Sequence, residues 1–120
     1  MAKLSAHGRA FLTFFDARRR ALLSIHEDGT TLFRTPFSGS WKVLARKKPE
    51  VSLLDWKAAK RRQFEAQPHW AKDISRLPSR NMLERWMIDG VAETTEGDDI
   101  EPDGVGAGGS PSWLLALGLI

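Results

Sequence analysis

The chain has no cysteine and no tyrosine. The first absence excludes disulfides, thiol nucleophiles and Cys-ligated zinc. It leaves a hydrophobic core as the source of stability and fits a reducing cytoplasm. The second leaves five Trp and six Phe as the aromatic stock, large apolar bodies that a domain this small should mostly bury. Long hydrophobic runs are missing too. The apolar stretch at residues 10–15 includes Thr13 and ends at Asp16, too short for the core of a signal peptide. The run at residues 113–120 falls far below the roughly 18 to 20 residues that cross a bilayer. A soluble cytoplasmic protein with no membrane partner is expected.

With 120 residues, 42% of them hydrophobic, the chain can build one core and not two, so residues 1–120 are read as a single domain. The net charge of +3 conceals two unlike segments. Residues 1–80 hold 17 Lys or Arg against 7 Asp or Glu, and residues 81–120 hold one Arg against 8 acids. Such polarity points to a polyanionic partner at the basic part, or to an acidic segment that masks it.

Hydrophobic periodicity divides the chain. Residues 1–48 read as an antiparallel meander, with strands near 11–15, 20–26, 30–35 and 41–45. Asp28-Gly29 supplies the tight turn between the second and third. From Pro49 the period lengthens to about 3.6 and helices take over residues 49–90. Ser52, with Asp55 three positions on, opens a helix running to about Gln67. Trp70, Ile74 and Leu77 form a short apolar stripe between Pro68 and Pro78. Ser79 caps a further helix lined by Met82, Leu83, Trp86 and Met87 and ended by Gly90. Residues 91–109 read as an acidic, glycine-rich loop. Ser110-Pro111 opens a last helix over residues 110–120, which docks on the domain's own core. The fold class expected is α+β, a three- to four-stranded antiparallel meander packed against three to four helices.

Chemical motifs are few. Gly104, Gly106 and Gly109 match the dinucleotide-binding glycine spacing, but an acidic stretch precedes them where a buried strand belongs. Asp99, Glu101, Asp103 and Gly104 resemble the start of a calcium loop, yet Ser110 stands where the bidentate Glu should be and Pro102 stiffens the middle. The three histidines, His7, His26 and His69, have no ligand spacing to one another. No elbow or nucleophile signature occurs, so the chain is read as non-enzymatic, with no metal and no cofactor.

Basic clusters carry the functional expectation. Arg18, Arg19 and Arg20 sit at a hairpin turn, Arg46, Lys47 and Lys48 follow the fourth strand, and Lys57, Lys60, Arg61 and Arg62 lie on the first helix. If the meander brings the first turn and the end of the fourth strand to one edge, ten cations share a surface able to displace phosphate counterions. The competing view is a solvated rim. Leu53, Trp56 and Phe64 share a helical face with Lys57 and Lys60. That face suits either base stacking with nearby cations or lysine stems lying over a buried Trp56.

The two ends of the chain carry a resemblance. Met-Ala-Lys-Leu-Ser-Ala-His-Gly at the start, followed by Glu27-Asp28-Gly29 and Gly39-Ser40-Trp41-Lys42, resembles short proteins carried by phages, prophages and plasmids of proteobacteria. Ile100-Glu-Pro-Asp-Gly with Ser110-Pro-Ser-Trp-Leu-Leu-Ala-Leu-Gly-Leu-Ile is similar to a C-terminal module seen in other hypothetical proteins, in which cysteines and a histidine often occupy the intervening loop. Here acids and glycines stand there. The likeness implies a mobile-element accessory protein, and the basic clusters make nucleic acid or a nucleoprotein the expected partner of their surface. The alternative is an interaction protein, anti-CRISPR-like, that blocks a host defence complex. It would do so with Glu93, Glu96, Asp98, Asp99, Glu101 and Asp103 acting as a phosphate-backbone mimic.

Overall fold

A computed structural model describes residues 7–120. Residues 1–6, which carry most of the N-terminal resemblance, lie outside the described residues. Strands β1 (Ala10–Asp16), β2 (Ala21–His26), β3 (Thr30–Arg34) and β4 (Lys42–Arg46) pair in chain order as an antiparallel sheet. The turns follow from local chemistry. At the β1–β2 turn the Asp16 carboxylate accepts from the backbone N–H of Arg18 and Arg19, at 3.0 and 3.2 Å. The chain then reverses through Arg20, whose φ of 58° lies in the left-handed region. At the β2–β3 turn Asp28 accepts from the Thr30 N–H. At the β3–β4 turn Thr35 and Ser38 bond each other's backbone and side chains.

Phe14 and Phe15 are both fully buried although adjacent side chains of a strand point to opposite faces. Each face therefore has its own core. Phe14 packs with Leu23, Ile25 and Trp56. This face is covered by α1 (Leu53–Glu65), which Ser52 caps by accepting from the Asp55 N–H. Phe15 packs with Leu22, Ile74, Leu83, Trp86, Trp113 and Leu114 on the other face. That side carries α2 (His69–Lys72), α3 (Arg80–Asp89) and α4 (Trp113–Ala116). Burying each phenylalanine contributes roughly 1.5–3 kcal/mol. The architecture is α+β, with the meander between helices on its two faces. Among the described residues no helix is long and apolar enough to cross a membrane.

Four expectations change in detail. The stripe Trp70, Ile74, Leu77 packs on the core, but only its first turn is helical, because Pro68 offers no side-chain cap and a helix of one turn propagates poorly. The last helix starts at Trp113 rather than at residue 110. Ser112 caps it by accepting from the Leu115 N–H, while Ser110 is buried and donates to Glu96 and the Pro111 carbonyl accepts from the Thr95 N–H. Residues 91–109 are ordered by short pairings instead of forming an open loop. β5 (Ala92–Glu93) pairs with β6 (Asp99–Ile100), and the Thr94 hydroxyl accepts from the Glu96 and Asp98 N–H groups in the turn between them. On α3, Leu83 and Trp86 are buried as expected, whereas Met82 and Met87 are exposed.

Candidate nucleic-acid interface

The β1–β2 hairpin is tied to the C-terminal part of α1, and to the residue just past its C-cap, by two contacts. The Gln63 amide donates to Asp16 Oδ2 at 3.2 Å, and the Gln67 side-chain carbonyl accepts from the Ala17 N–H at 3.0 Å. Asp16 is thereby saturated. One carboxylate oxygen holds the turn and the other holds the helix, which is how a buried carboxylate is tolerated. An open cleft of about 850 Å³ lies at this junction, lined by Arg18, Arg19, Gln63 and Gln67 among others.

Five of the ten predicted basic residues belong to this junction and the helix beside it. Arg18 and Arg19 are exposed at the turn, and Arg19 lies 3.7 Å from Asp16. Lys60 is half-buried with its ammonium 5.8 Å from the Trp56 ring centre. Burial first, and the Arg19 guanidinium second, hold the Lys60 ammonium below the ordinary lysine range, with Asp16 acting the other way. Arg61 stands over Phe11, and Arg62 is exposed in the last turn of the helix.

The other five are elsewhere or engaged. An antiparallel meander reverses direction at every strand, so the β1–β2 turn and the end of β4 fall at opposite ends of the sheet. The register states this directly: Ala21 pairs with Asp16 at one end, and Thr30 with Arg46 at the other. Arg46, Lys47 and Lys48 are therefore about 20 Å from Arg18 and Arg19 by strand rise, and the single shared edge expected from sequence does not form. Arg46 donates to the Thr30 hydroxyl, and the Lys47 ammonium donates to the carbonyls of Lys48 and Val51. Lys57 is ion-paired with Glu27. Arg20 turns its guanidinium to Gly118 at the end of the chain.

Trp56 is only 8% exposed, and Phe64 packs edge-on against Phe14. These rings serve the core, with Lys57 and Lys60 stems alongside, so the α1 face offers charge rather than a stacking platform. Leu53 is the exception and is exposed.

The acidic set divides as well. Glu93 and Glu96 line clefts near α3, and Glu96 accepts from the Ser110 hydroxyl. Asp98, Asp99, Glu101 and Asp103 are exposed on and after the β5–β6 hairpin. Among the described residues no ion pair joins this set to a basic residue.

The remaining motifs serve the fold. Within the glycine segment, Gly106 N–H donates to the Ser110 carbonyl and Gly109 N–H to the Gly106 carbonyl. His69 hydrogen-bonds the Gly108 carbonyl at 2.9 Å. Among the described residues no group of three His, Asp or Glu side chains is placed to hold a metal ion. Ser24 and His26 meet at 2.8 Å, a nucleophile-to-base contact, but both are buried and neither lines a cleft named here. The residues that sequence reasoning missed are Asp16, Gln63 and Gln67. Asp16 had a signal, since Asp before a turn bonds the backbone two and three residues on; the glutamines had none. Comparison with family models, with curated proteins and with solved structures finds no match to this chain.

Proposed function

We propose that this chain is a non-enzymatic nucleic-acid-binding protein that grips phosphates with the β1–β2 hairpin and the C-terminal half of α1. The observation that carries this reading is the Asp16–Gln63 and Ala17–Gln67 pair of hydrogen bonds. They seat Arg18 and Arg19 beside the helix that bears Lys60, Arg61 and Arg62. Only one of those five cations, Arg19, has an ion-pair partner among the described residues. Phosphate contacts of this kind fix position without reading sequence, and the buried aromatics of α1 add no base stacking, so the binding is sequence-independent. The likeness of the chain's ends to short phage and plasmid proteins supports an accessory role for a mobile element, exercised in the cytoplasm.

The test is fluorescence anisotropy with a labelled mixed-sequence DNA duplex and an RNA of the same sequence. The triple variant R18E/R19E/R62E should lose at least about 100-fold in affinity at roughly physiological salt. The control R46E/K48E, at the far end of the sheet, should stay within about threefold. Equal losses in both variants would overturn the reading.

A further inference from the structure

Two clefts on the side of the sheet opposite α1 meet at Arg76, Thr95 and Glu96, which line both. One, of about 440 Å³, carries His69 and Asp73. The other, of about 560 Å³, is lined by Met82, Trp86 and Trp113, with Glu93 at its wall. Each volume is in the range of roughly 300–1,000 Å³ that ligand sites occupy. The walls are anchored from behind. Glu96 accepts from the Ser110 hydroxyl, and Trp86 and Trp113 are packed into the core.

Charge and satisfaction are both uneven here. Asp73, Glu93 and Glu96 face a single arginine, Arg76, and none of the four forms an ion pair among the described residues. The Thr95 hydroxyl oxygen is buried and has no hydrogen-bond partner, at the junction of the two clefts. A buried hydroxyl left so is a cost to the fold, and an incoming polar group reached by a side-chain rotation relieves it.

We propose that this bent groove is a peptide-binding site for a partner protein, and that it takes a segment in which a basic side chain neighbours a large apolar one. Asp73 and Glu96 receive the ammonium or guanidinium. The exposed Met82 receives the apolar side chain, with the edges of the largely buried Trp86 and Trp113 that reach the cleft as the floor beneath it. Arg76, at the bend, donates to the peptide carbonyls. The excess of carboxylates repels a polyanion, so this site and the basic hairpin address different partners and neither depends on the other.

The experiment is an NMR titration of the uniformly ¹⁵N-labelled full chain with the dipeptide amide acetyl-Arg-Phe-NH₂. Acetyl-Glu-Phe-NH₂ and acetyl-Arg-Ser-NH₂ are the comparison probes. The arginyl-phenylalanyl probe should shift the indole N–H signals of Trp86 and Trp113 and the amides of Thr95 and Glu96 saturably, with a dissociation constant near 1 mM. Each comparison probe should bind at least about tenfold more weakly. D73N/E96Q should weaken the first probe about fivefold or more. M82D, altered at an exposed position, should do the same through the apolar cleft should the double variant fold poorly. Absence of shifts at these signals, or equal binding of the glutamyl probe, would overturn the proposal.

Discussion

The side-chain amide of Gln63 donates to the carboxylate of Asp16 across 3.2 Å, joining residues 47 positions apart. The same carboxylate orders the turn that presents Arg18 and Arg19, so one buried acid organises a basic surface. Asp16→Ala removes the acceptor from three donors at once and should destabilise the fold by about 2–3 kcal/mol. Nucleic-acid affinity should fall about tenfold, although no cation is lost. Urea unfolding and anisotropy on the same variant check the pair of effects. A loss of stability with unchanged affinity would separate the turn from binding.

Gly118 has a φ of 71°, and a Cβ there would lie 2.3 Å from Arg20 Nη1. Gly118→Ala should cost about 1–2 kcal/mol, part from the left-handed backbone and part from displacing the guanidinium. In R20A/G118A only the second part is relieved. A double-mutant cycle by chemical denaturation should therefore show positive coupling that stops short of full recovery.

Phe15 is fully buried where β1 meets Trp70 and Trp113, while Ile88 on α3 is 83% exposed. Phe15→Ala should cost about 3–5 kcal/mol, a large share of the stability of a domain this size. Ile88→Ala should stay within about 0.5 kcal/mol. Thermal unfolding of the two variants separates core from surface directly.

Lys60 titrates below its ordinary value of 10.5 because burial, and then Arg19, disfavour the charged ammonium. The sign follows. Between the lowered folded value and the ordinary one the unfolded chain holds more protons, so this group makes stability rise with pH through that alkaline window. Below the window the charged lysine is a constant cost to the folded state. Arg19→Ala should move the Lys60 titration upward in an NMR experiment that follows the side-chain nitrogen. An unchanged or lower titration would show that Arg19 does not reach it.

Much of the fold is readable in the sequence because single residues announce it. Asp28-Gly29 marks a turn, Ser52 and Ser79 cap their helices, and Gly90 stops α3. The lobe at residues 91–112 is illegible for a physical reason. Its two-residue strands are too short to show a period, and Thr94, Ser110 and Ser112 hold it by side-chain hydrogen bonds that leave no pattern. The basic site was half legible. The cations are evident in the sequence, but Arg46, Lys47 and Lys48 do not join Arg18, Arg19 and Arg20, because the three direction reversals of the meander send them to the other end. Gln63 and Gln67 do the positioning as neutral amides, a role that composition and charge patterning do not reveal.

The central claim is that about five cations on one hairpin and one helix bind nucleic acid through its phosphates. The most direct test is the salt dependence of duplex binding by the full chain. Five phosphate contacts predict a slope of about −4.5 in log affinity against log salt, so affinity should drop about 500-fold over a fourfold rise in salt. R18E/R19E/R62E should flatten that slope to about −2. A wild-type slope near zero, or one that the triple variant leaves unchanged, would contradict the account.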